Sequence, residues 1–394
     1  MIMLSRLIGF RYFKWQRILT LALIVTFSSM LFSITALSFL GFYKGFTAYL
    51  GEGENIVVVY DSKSHTPFTG LVPAYLSEKI STLKGVLASS PEIIVPCILK
   101  GKSIFLRGIV PNDFTKLNQL TMIEGSMLNL NELNSIIIGK KVAERLHIKS
   151  NEKILIIGVL TDRYVELNVK GIFISNSPLD DEILAPLYVG QWLRGVDYGY
   201  ATLIRFKIDR SSINPSKIFE EIAKEASPSQ VQITPSETQH IRIIQRIAIF
   251  RIEDISVKEA YNFMSSYIER YGVTRESLII LSIMVFLFSS ASIAVASKIF
   301  LMQHKGEIEV LRSIGTSKKL LKRDILIKLL PLSIIASSIG FIAALIILTI
   351  IQGYGYLQVL SHTIPLQIDL FIITINFILV LLLVSISILK SDIE

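Results

Sequence analysis

The chain has 394 residues, 51% of them hydrophobic and only 18% charged, with a formal net charge of +8. That is too apolar for an ordinary soluble chain of this length, so the surplus must sit in lipid. The positive balance does not call for nucleic acid, because it lies largely in segments flanking apolar runs, and the single cysteine, Cys97, excludes an internal disulfide.

At the start, Leu4, Leu7, Ile8, Tyr12 and Trp15 recur at helical spacing opposite Arg6, Arg11, Lys14 and Arg17. Residues 1–17 read as a cytoplasmic amphipathic helix lying in the membrane interface, with a plain basic flank as the alternative. No charge follows between Arg17 and Lys44, and a first transmembrane helix is expected over 18–42. Its apolar stretch is too long for a signal peptide and no small-residue cleavage site follows, so removal is not expected. Phe42, Tyr43, Phe46 and Tyr49 resemble an outer aromatic belt.

Residues 43–275 can bury a core of their own and alternate strand and helix signals. Strands are expected at Ile56–Tyr60, Glu92–Leu99, Ser103–Val110, Ser135–Ile138, Ile154–Leu160, Tyr164–Ser175, Ala201–Ile208 and Val231–Thr234. Helices are expected at Tyr75–Leu83, around Val142–Leu146 and at Pro215–Ala226. The reading is an α+β extracytoplasmic domain with a base from 50–125 and 198–251, a β-rich insertion over 126–197 and a stalk over 252–275. From Thr238 to Tyr271 no Pro or Gly occurs, which fits one descending helix or two helices kinked near Glu253–Ser256.

Three further uncharged windows follow. They predict transmembrane helices at 276–300, 329–351 and 370–389, with a segment 301–328, a loop 352–369 and a tail 390–394 between and after them. The fold class is therefore a membrane protein of four transmembrane α-helices, one before and three after a large α+β ectodomain. Lys298, Lys305, Arg312, Lys318, Lys319, Lys322, Arg323 and Lys328 crowd one short loop, whereas 352–369 has no Lys or Arg. By the positive-inside rule both termini are cytoplasmic and the protein is a multi-pass protein of the plasma membrane.

Catalytic hardware is sparse. Gly101-Lys102-Ser103 ends like a nucleotide-binding loop, but the first glycine would fall at Pro96 and the segment lies outside. Five histidines are scattered without a Cys/His cluster, so no metal is expected, and no nucleophile elbow occurs. The uncharged window between Glu276 and Lys298 and the other three spans hold no Asp, Glu, Lys, Arg or His, which argues against ion-coupled transport. Their small and hydroxyl residues, Ser28, Ser29, Ser33, Ser289, Ser290, Ser292, Ser333, Ser337, Gly340 and Ala344, favour close helix packing, within the subunit or across a dimer.

The informative short segment runs from Glu307 to Lys318. Ile308, Leu311 and Ile314 share one helical face and Glu307, Glu309 and Arg312 another; Gly315 can end the helix, and Thr316 or Ser317 can cap the next. The chain would then return through an amphipathic stretch at Leu320–Leu330. Such a lever suits docking on a motor domain; a solvated basic loop is the alternative.

At this segment the chain resembles the MacB/FtsX-like permeases, whose second helix ends close to E-[IV]-x-[VIL]-[LM]-[RK]-[AS]-[IL]-G-[AT]-[ST]-[RK]. Glu307, Val310, Leu311, Arg312, Ser313, Ile314, Gly315, Thr316, Ser317 and Lys318 fit that pattern. In the ectodomain Arg107-Gly108-Ile109-Val110-Pro111 with Phe114, Glu124-Gly125-Ser126-Met127, Ile137-Ile138-Gly139, Ala143, Leu146 and Ala185-Pro186-Leu187 are similar to the family in order. Where the family usually has an acidic-glycine turn, this chain has Asn151-Glu152-Lys153.

The resemblance implies a non-catalytic permease subunit that carries no cofactor, with ATP and Mg on a partner cytoplasmic ABC ATPase. It implies a permease homodimer or heterodimer whose ATPase-coupling residues are Glu307, Val310, Leu311, Arg312, Ile314, Gly315, Thr316, Ser317 and Lys318. ATP-driven motion would reach the extracytoplasmic domain by mechanotransmission, for export or extraction of a peptide, drug or lipid-linked substrate. Alternatives are an FtsX-like signalling regulator of an extracellular partner, without transport, and a non-ABC membrane receptor.

Overall fold

The computed structural model describes residues 15–51, 55–64, 66, 68–129, 132–211, 255–270, 272–354, 357–359, 361–366 and 368–390. The expected interfacial helix before Trp15, and the helix and strand expected between 215 and 234, lie outside the described residues. The chain divides into two units: one contains residues 1–43, 273–357 and 364–394, the other 44–272 and 358–363.

Among the described residues four helices are long and apolar enough to cross a membrane. Helix α1 is Trp15–Thr47. Helices α7 (Arg275–Gln303), α9 (Lys318–Gly353) and α10 (Leu370–Lys390) follow the ectodomain, with the short α8 (Lys305–Ser313) after α7. Helix α7 starts at a reciprocal cap in which Thr274 Oγ1 accepts from the Ser277 amide at 3.0 Å and Ser277 Oγ from the Thr274 amide at 2.9 Å. The expected return segment and third span are one continuous helix, α9, which runs through Pro331. Proline there removes one backbone bond without stopping the helix, because neighbouring helices hold it.

Small and hydroxyl residues stitch this unit together internally. Ser29 Oγ donates to the Ser337 carbonyl at 3.0 Å, and Asn376 Nδ2 donates to Ser29 Oγ at 2.8 Å and to Ser337 Oγ at 3.3 Å. A Cβ on Gly340 would stand 2.3 Å from the Thr26 carbonyl oxygen. For Ser29, Ser337 and Gly340 the packing is therefore within the subunit.

Among the described residues the ectodomain carries a 10-stranded sheet. Its strands are β1 (Ile56–Asp61), β3 (Val86–Leu99), β4 (Lys102–Ile109), β5 (Thr121–Gly125), β6 (Ser135–Gly139), β7 (Lys153–Gly158), β8 (Tyr164–Ile174), β9 (Glu182–Pro186), β11 (Leu203–Ile208) and β12 (Ile255–Glu259). A separate short pair joins β2 (Val72–Pro73) to β10 (Tyr200–Ala201). The helices are α2 (Leu76–Ser81), α3 (Pro111–Leu117), α4 (Lys140–Leu146), α5 (Leu187–Arg194) and α6 (Ala260–Glu269).

Strand β3 is long enough to do two jobs. Its first half pairs with β11, from Val86 to Glu92, and its end pairs with β7 at Cys97 and Ile98. From there the pairings run β3–β4, β4–β9, β9–β6, β6–β8, β8–β7 and back to β3, a closed ring of strands. Closure removes sheet edges and gives an interior for alternating apolar side chains. Ile93, Val95, Cys97, Ile104, Leu106, Ile138, Ile156, Val169 and Ile183 fill it. The expected split between base and insertion thus does not divide the sheet, because β3 and β4 belong to both parts.

Of the helix expected over 238–271, residues 238–254 lie outside the described residues, and Ile255–Glu259 differs. It is an edge strand antiparallel to β1, followed by α6. Val257 packs against the cluster of Val57, Val59 and Phe206, a tertiary contact that overrides the local helical pattern.

The Gly101-Lys102-Ser103 signal has a plain structural origin. Lys100 and Gly101, with φ of 48° and 73°, form the two-residue turn between β3 and β4, paired across Leu99 and Lys102. In the turn before β7, Asn151 itself takes φ 66°, the conformation glycine would otherwise supply.

Candidate functional site

Strand alternation sends one set of β3, β4 and β9 residues into the barrel and the other to the opposite face. On that opposite face stand Glu92, Arg107 and Glu182, each at 0% exposure, joined by Arg205 of β11 at 2%. Charges so deeply buried persist only when paired and hydrogen-bonded, and here they are. Arg107 Nε and Nη2 grip Glu182 at 2.6 and 2.9 Å, and its Nη1 donates to Glu92 at 2.6 Å. Arg205 Nε donates to the other Glu92 oxygen at 2.6 Å, and its Nη1 donates to the Leu50 carbonyl at 2.7 Å.

Aromatic groups close the cluster. The Arg107 guanidinium lies 5.1 Å from the Tyr49 ring centre, and that of Arg205 lies 5.4 Å from Phe114. His362, from the hairpin formed by β13 (Gln358–Val359) and β14 (His362–Thr363), reaches Glu182 Oε1 at 3.0 Å. An ionised carboxylate only accepts, so His362 Nε2 carries the proton. Burial alone would raise the Glu182 carboxyl, but the Arg107 charge and hydrogen bonds, with His362, outweigh it and hold Glu182 well below the usual carboxylate range. Burial, then the Glu182 charge, pushes the Tyr49 phenol well above its ordinary value.

Several residues singled out by the family pattern build this place. Arg107 is its hub, and Gly108 lets α5 approach: a Cβ there would stand 2.5 Å from Ile93 Cγ2 and 3.0 Å from the Leu187 carbonyl oxygen. Pro111 opens α3 and Phe114 is fully buried beneath Arg205. Sequence reasoning passed over Tyr49 as a cluster member, and over Glu92, Glu182, Arg205 and His362. The available signal was a lone charge inside an apolar strand, as in Phe105-Leu106-Arg107-Gly108 and Leu203-Ile204-Arg205-Phe206.

The four charges of the cluster are all paired with one another, while the Tyr49 hydroxyl buried beside them has no hydrogen-bond partner among the described residues. Burial pushes the Cys97 thiol up to about 12, which leaves no thiolate for nucleophilic work. Among the described residues no group of three or more His, Cys, Asp or Glu is placed to hold a metal ion. What the cluster does show is a set of paired charges that ties β3, β4, β9 and β11 together.

The sequence-predicted coupling residues lie in the membrane unit. Helix α7 ends at His304, which has φ −107° and ψ 17°, and α8 begins at once. Glu307, Val310, Leu311 and Arg312 are on α8; Ile308 is buried, whereas Val310 and Ile314 are 60% and 77% exposed. Gly315 has φ 98° with open space around its Cβ position, and Ser317 caps α9 by accepting from the Leu320 amide at 3.4 Å. Thr316 stands in the turn and Lys318 opens α9. The turn therefore brings these residues into one compact reversal that presents apolar side chains outward.

Residues 279–391 match the family described as FtsX-like permease C-terminal, which spans α7, the turn, α9 and α10. The periplasmic region of MacB from Actinobacillus actinomycetemcomitans is similar at 11% identity and a TM-score of 0.36, covering 55% of this chain and 94% of that one. The extracellular domain of the noncanonic ABC-type transporter YknZ from Gram-positive bacteria is similar at 14% identity and a TM-score of 0.34, covering 43% of this chain and 92% of that one. No curated protein sequence matches the chain.

Proposed function

We propose that this chain is a permease subunit of the MacB/FtsX type and that it transmits the ATP-driven motion of a separate ATPase to its ectodomain. The carrying observation is the turn after α7. Val310 and Ile314, one helical turn apart, are exposed beside Arg312 and Lys318, whereas Ile308 of the same helix is buried. An exposed apolar pair in a charged setting, on a rigid capped reversal, suits a protein partner better than water does.

In this reading both termini and the α8 turn are cytoplasmic, in keeping with the crowding of Lys and Arg there and their absence from 352–369. ATP and Mg are bound and used on the partner, the permease works as a dimer in the plasma membrane, and this chain is non-catalytic. The charge-locked joint supports such a role, because motion delivered to a rigid body is not lost in local deformation. The substrate class is export or extraction of a peptide, drug or lipid-linked molecule.

The test is a tagged pull-down of the full chain from mild detergent, scored for a co-purifying Walker-type ATPase. Val310→Asp with Ile314→Asp should lose the ATPase while leaving the thermal midpoint unchanged. Absence of any ATPase from the wild-type pull-down would sink the reading in favour of a receptor. Retention of the ATPase by the double variant would move the docking surface elsewhere.

A further inference from the structure

The hairpin Gln358–Thr363 belongs to the ectodomain unit, although the chain on either side of it leads into membrane helices, α9 ending at Gly353 and α10 starting at Leu370. Its seat is built for it. Asp181, at 0% exposure, accepts from the Thr363 amide at 2.9 Å and from Thr363 Oγ1 at 2.7 Å, and Lys141 Nζ donates to the same hydroxyl at 2.6 Å. Arg145 Nη1 donates to the Ser361 carbonyl at 3.3 Å and to Asp181 Oδ1 at 3.4 Å. His362 donates to Glu182 and lies among rings, its centre 4.8 Å from that of Tyr49 and 5.6 Å from that of Phe105. At the rim the Ser361 and Ser103 hydroxyls are 3.2 Å apart.

Adjacent buried carboxylates, Asp181 and Glu182, thus draw part of their hydrogen bonding from a six-residue hairpin far away in sequence. If the hairpin lifted, both would lose donors in a place where water could not replace them readily. A contact of that kind is held, not sampled.

On the reading that the chain transmits motion, we infer that Gln358–Thr363 is a fixed strut, and that Asp181, Glu182, Lys141 and Arg145 form the socket through which movement of α9 and α10 is delivered to the barrel. Asp181 and His362 are positioning residues of this second route, which adds to the direct connections through α1 and α7.

The first arm is a cross-link. In a Cys97→Ser background, Ser103→Cys with Ser361→Cys should form a disulfide in native membranes to the same high yield with and without ATP and vanadate. A low or nucleotide-dependent yield overturns the strut, whether or not an ATPase partner exists.

The second arm places a spin label at Leu133→Cys, an exposed ectodomain position, in the Cys97→Ser chain purified with its ATPase. Wild-type contacts should give an ATP-dependent spectral change, and Asp181→Asn should reduce it at least threefold with ATPase retention and hydrolysis intact. His362→Gln, a milder variant, should reduce it in the same direction, and the disulfide formed by Ser103→Cys with Ser361→Cys should restore it to Asp181→Asn. An undiminished change in Asp181→Asn overturns the inference. No ATP-dependent change in the wild-type contacts, with the ATPase present, counts against the transmission reading itself, and the cross-link still decides the strut.

Discussion

In the ectodomain, Arg107, Glu92, Glu182 and Arg205 meet charge with charge at near-complete burial. In the membrane unit, the turn from Lys305 to Lys318 leaves Val310 and Ile314 exposed, and the Lys305–Glu309 pair spans 3.8 Å with both side chains more than half exposed. The first arrangement answers every charge from within the chain, so it holds shape. The second leaves two of its apolar side chains, Val310 and Ile314, exposed. One chain therefore holds both a buried cluster of paired charges and an exposed apolar turn.

The sharpest way to break that contrast is at its rigid end. Replacing Arg107 with Met leaves Glu92 and Glu182 as buried carboxylates deprived of their shared partner, at a cost of about 3–5 kcal/mol. Denaturant unfolding of the full chain in detergent, followed by intrinsic fluorescence, should show that loss as a lowered midpoint. A change below about 1 kcal/mol would mean that the cluster is solvated and that the joint is soft.

Acid sharpens the same point. Glu182 has a folded-state pKa depressed below its unfolded value, so its contribution is complete above the unfolded value of about 4.3 and is lost as pH falls through the folded one. Stability should be insensitive to Glu182 above about pH 5.5 and should decline below about pH 4, and Glu182→Gln should flatten that acid limb. An unchanged acid limb in Glu182→Gln would assign the decline to other carboxylates.

At the other end of the comparison, Gly315 has φ 98° and nothing within 4 Å of its Cβ position. Gly315→Val meets no steric wall, so only backbone strain acts, about 1–2 kcal/mol. That is enough to reshape the turn without unfolding four helices. ATPase co-purification should fall while the thermal midpoint moves little; unchanged coupling would mean that the reversal can be rebuilt in another conformation.

Legibility in the sequence followed the same division. The spans were readable because lipid forbids charge over about 20 residues, and α1, α7, α9 and α10 cover the windows expected, with ends extended by uncharged or amphipathic flanks. The turn was readable because Gly315 and Ser317 act locally, within a few residues of the helices they end and begin. The joint was not, because its partners are remote: Arg107 pairs with Glu92 and Glu182, and Glu182 with His362, across 15, 75 and 180 positions. No local period records such pairs. Barrel closure was equally hidden, since it depends on β3 changing partner from β11 to β7 along its length.

The smallest expected effect probes how the membrane unit manages polarity without charge. Asn376 was not singled out by the sequence, yet it sits at 2% exposure and donates to both Ser29 and Ser337, joining α10 to α1 and α9. A neutral amide is affordable in lipid where an ion pair is not, but side-chain hydrogen bonds between transmembrane helices average only about 0.6 kcal/mol, because the separated helices also find partners. Asn376→Leu should therefore cost about 1 kcal/mol or less, read as a shift in unfolding in mixed micelles, with Ser29→Ala smaller still. If Asn376→Leu instead costs as much as Arg107→Met, the membrane unit has its own indispensable polar joint, and the contrast between a charge-locked ectodomain and a lightly stitched helix bundle fails.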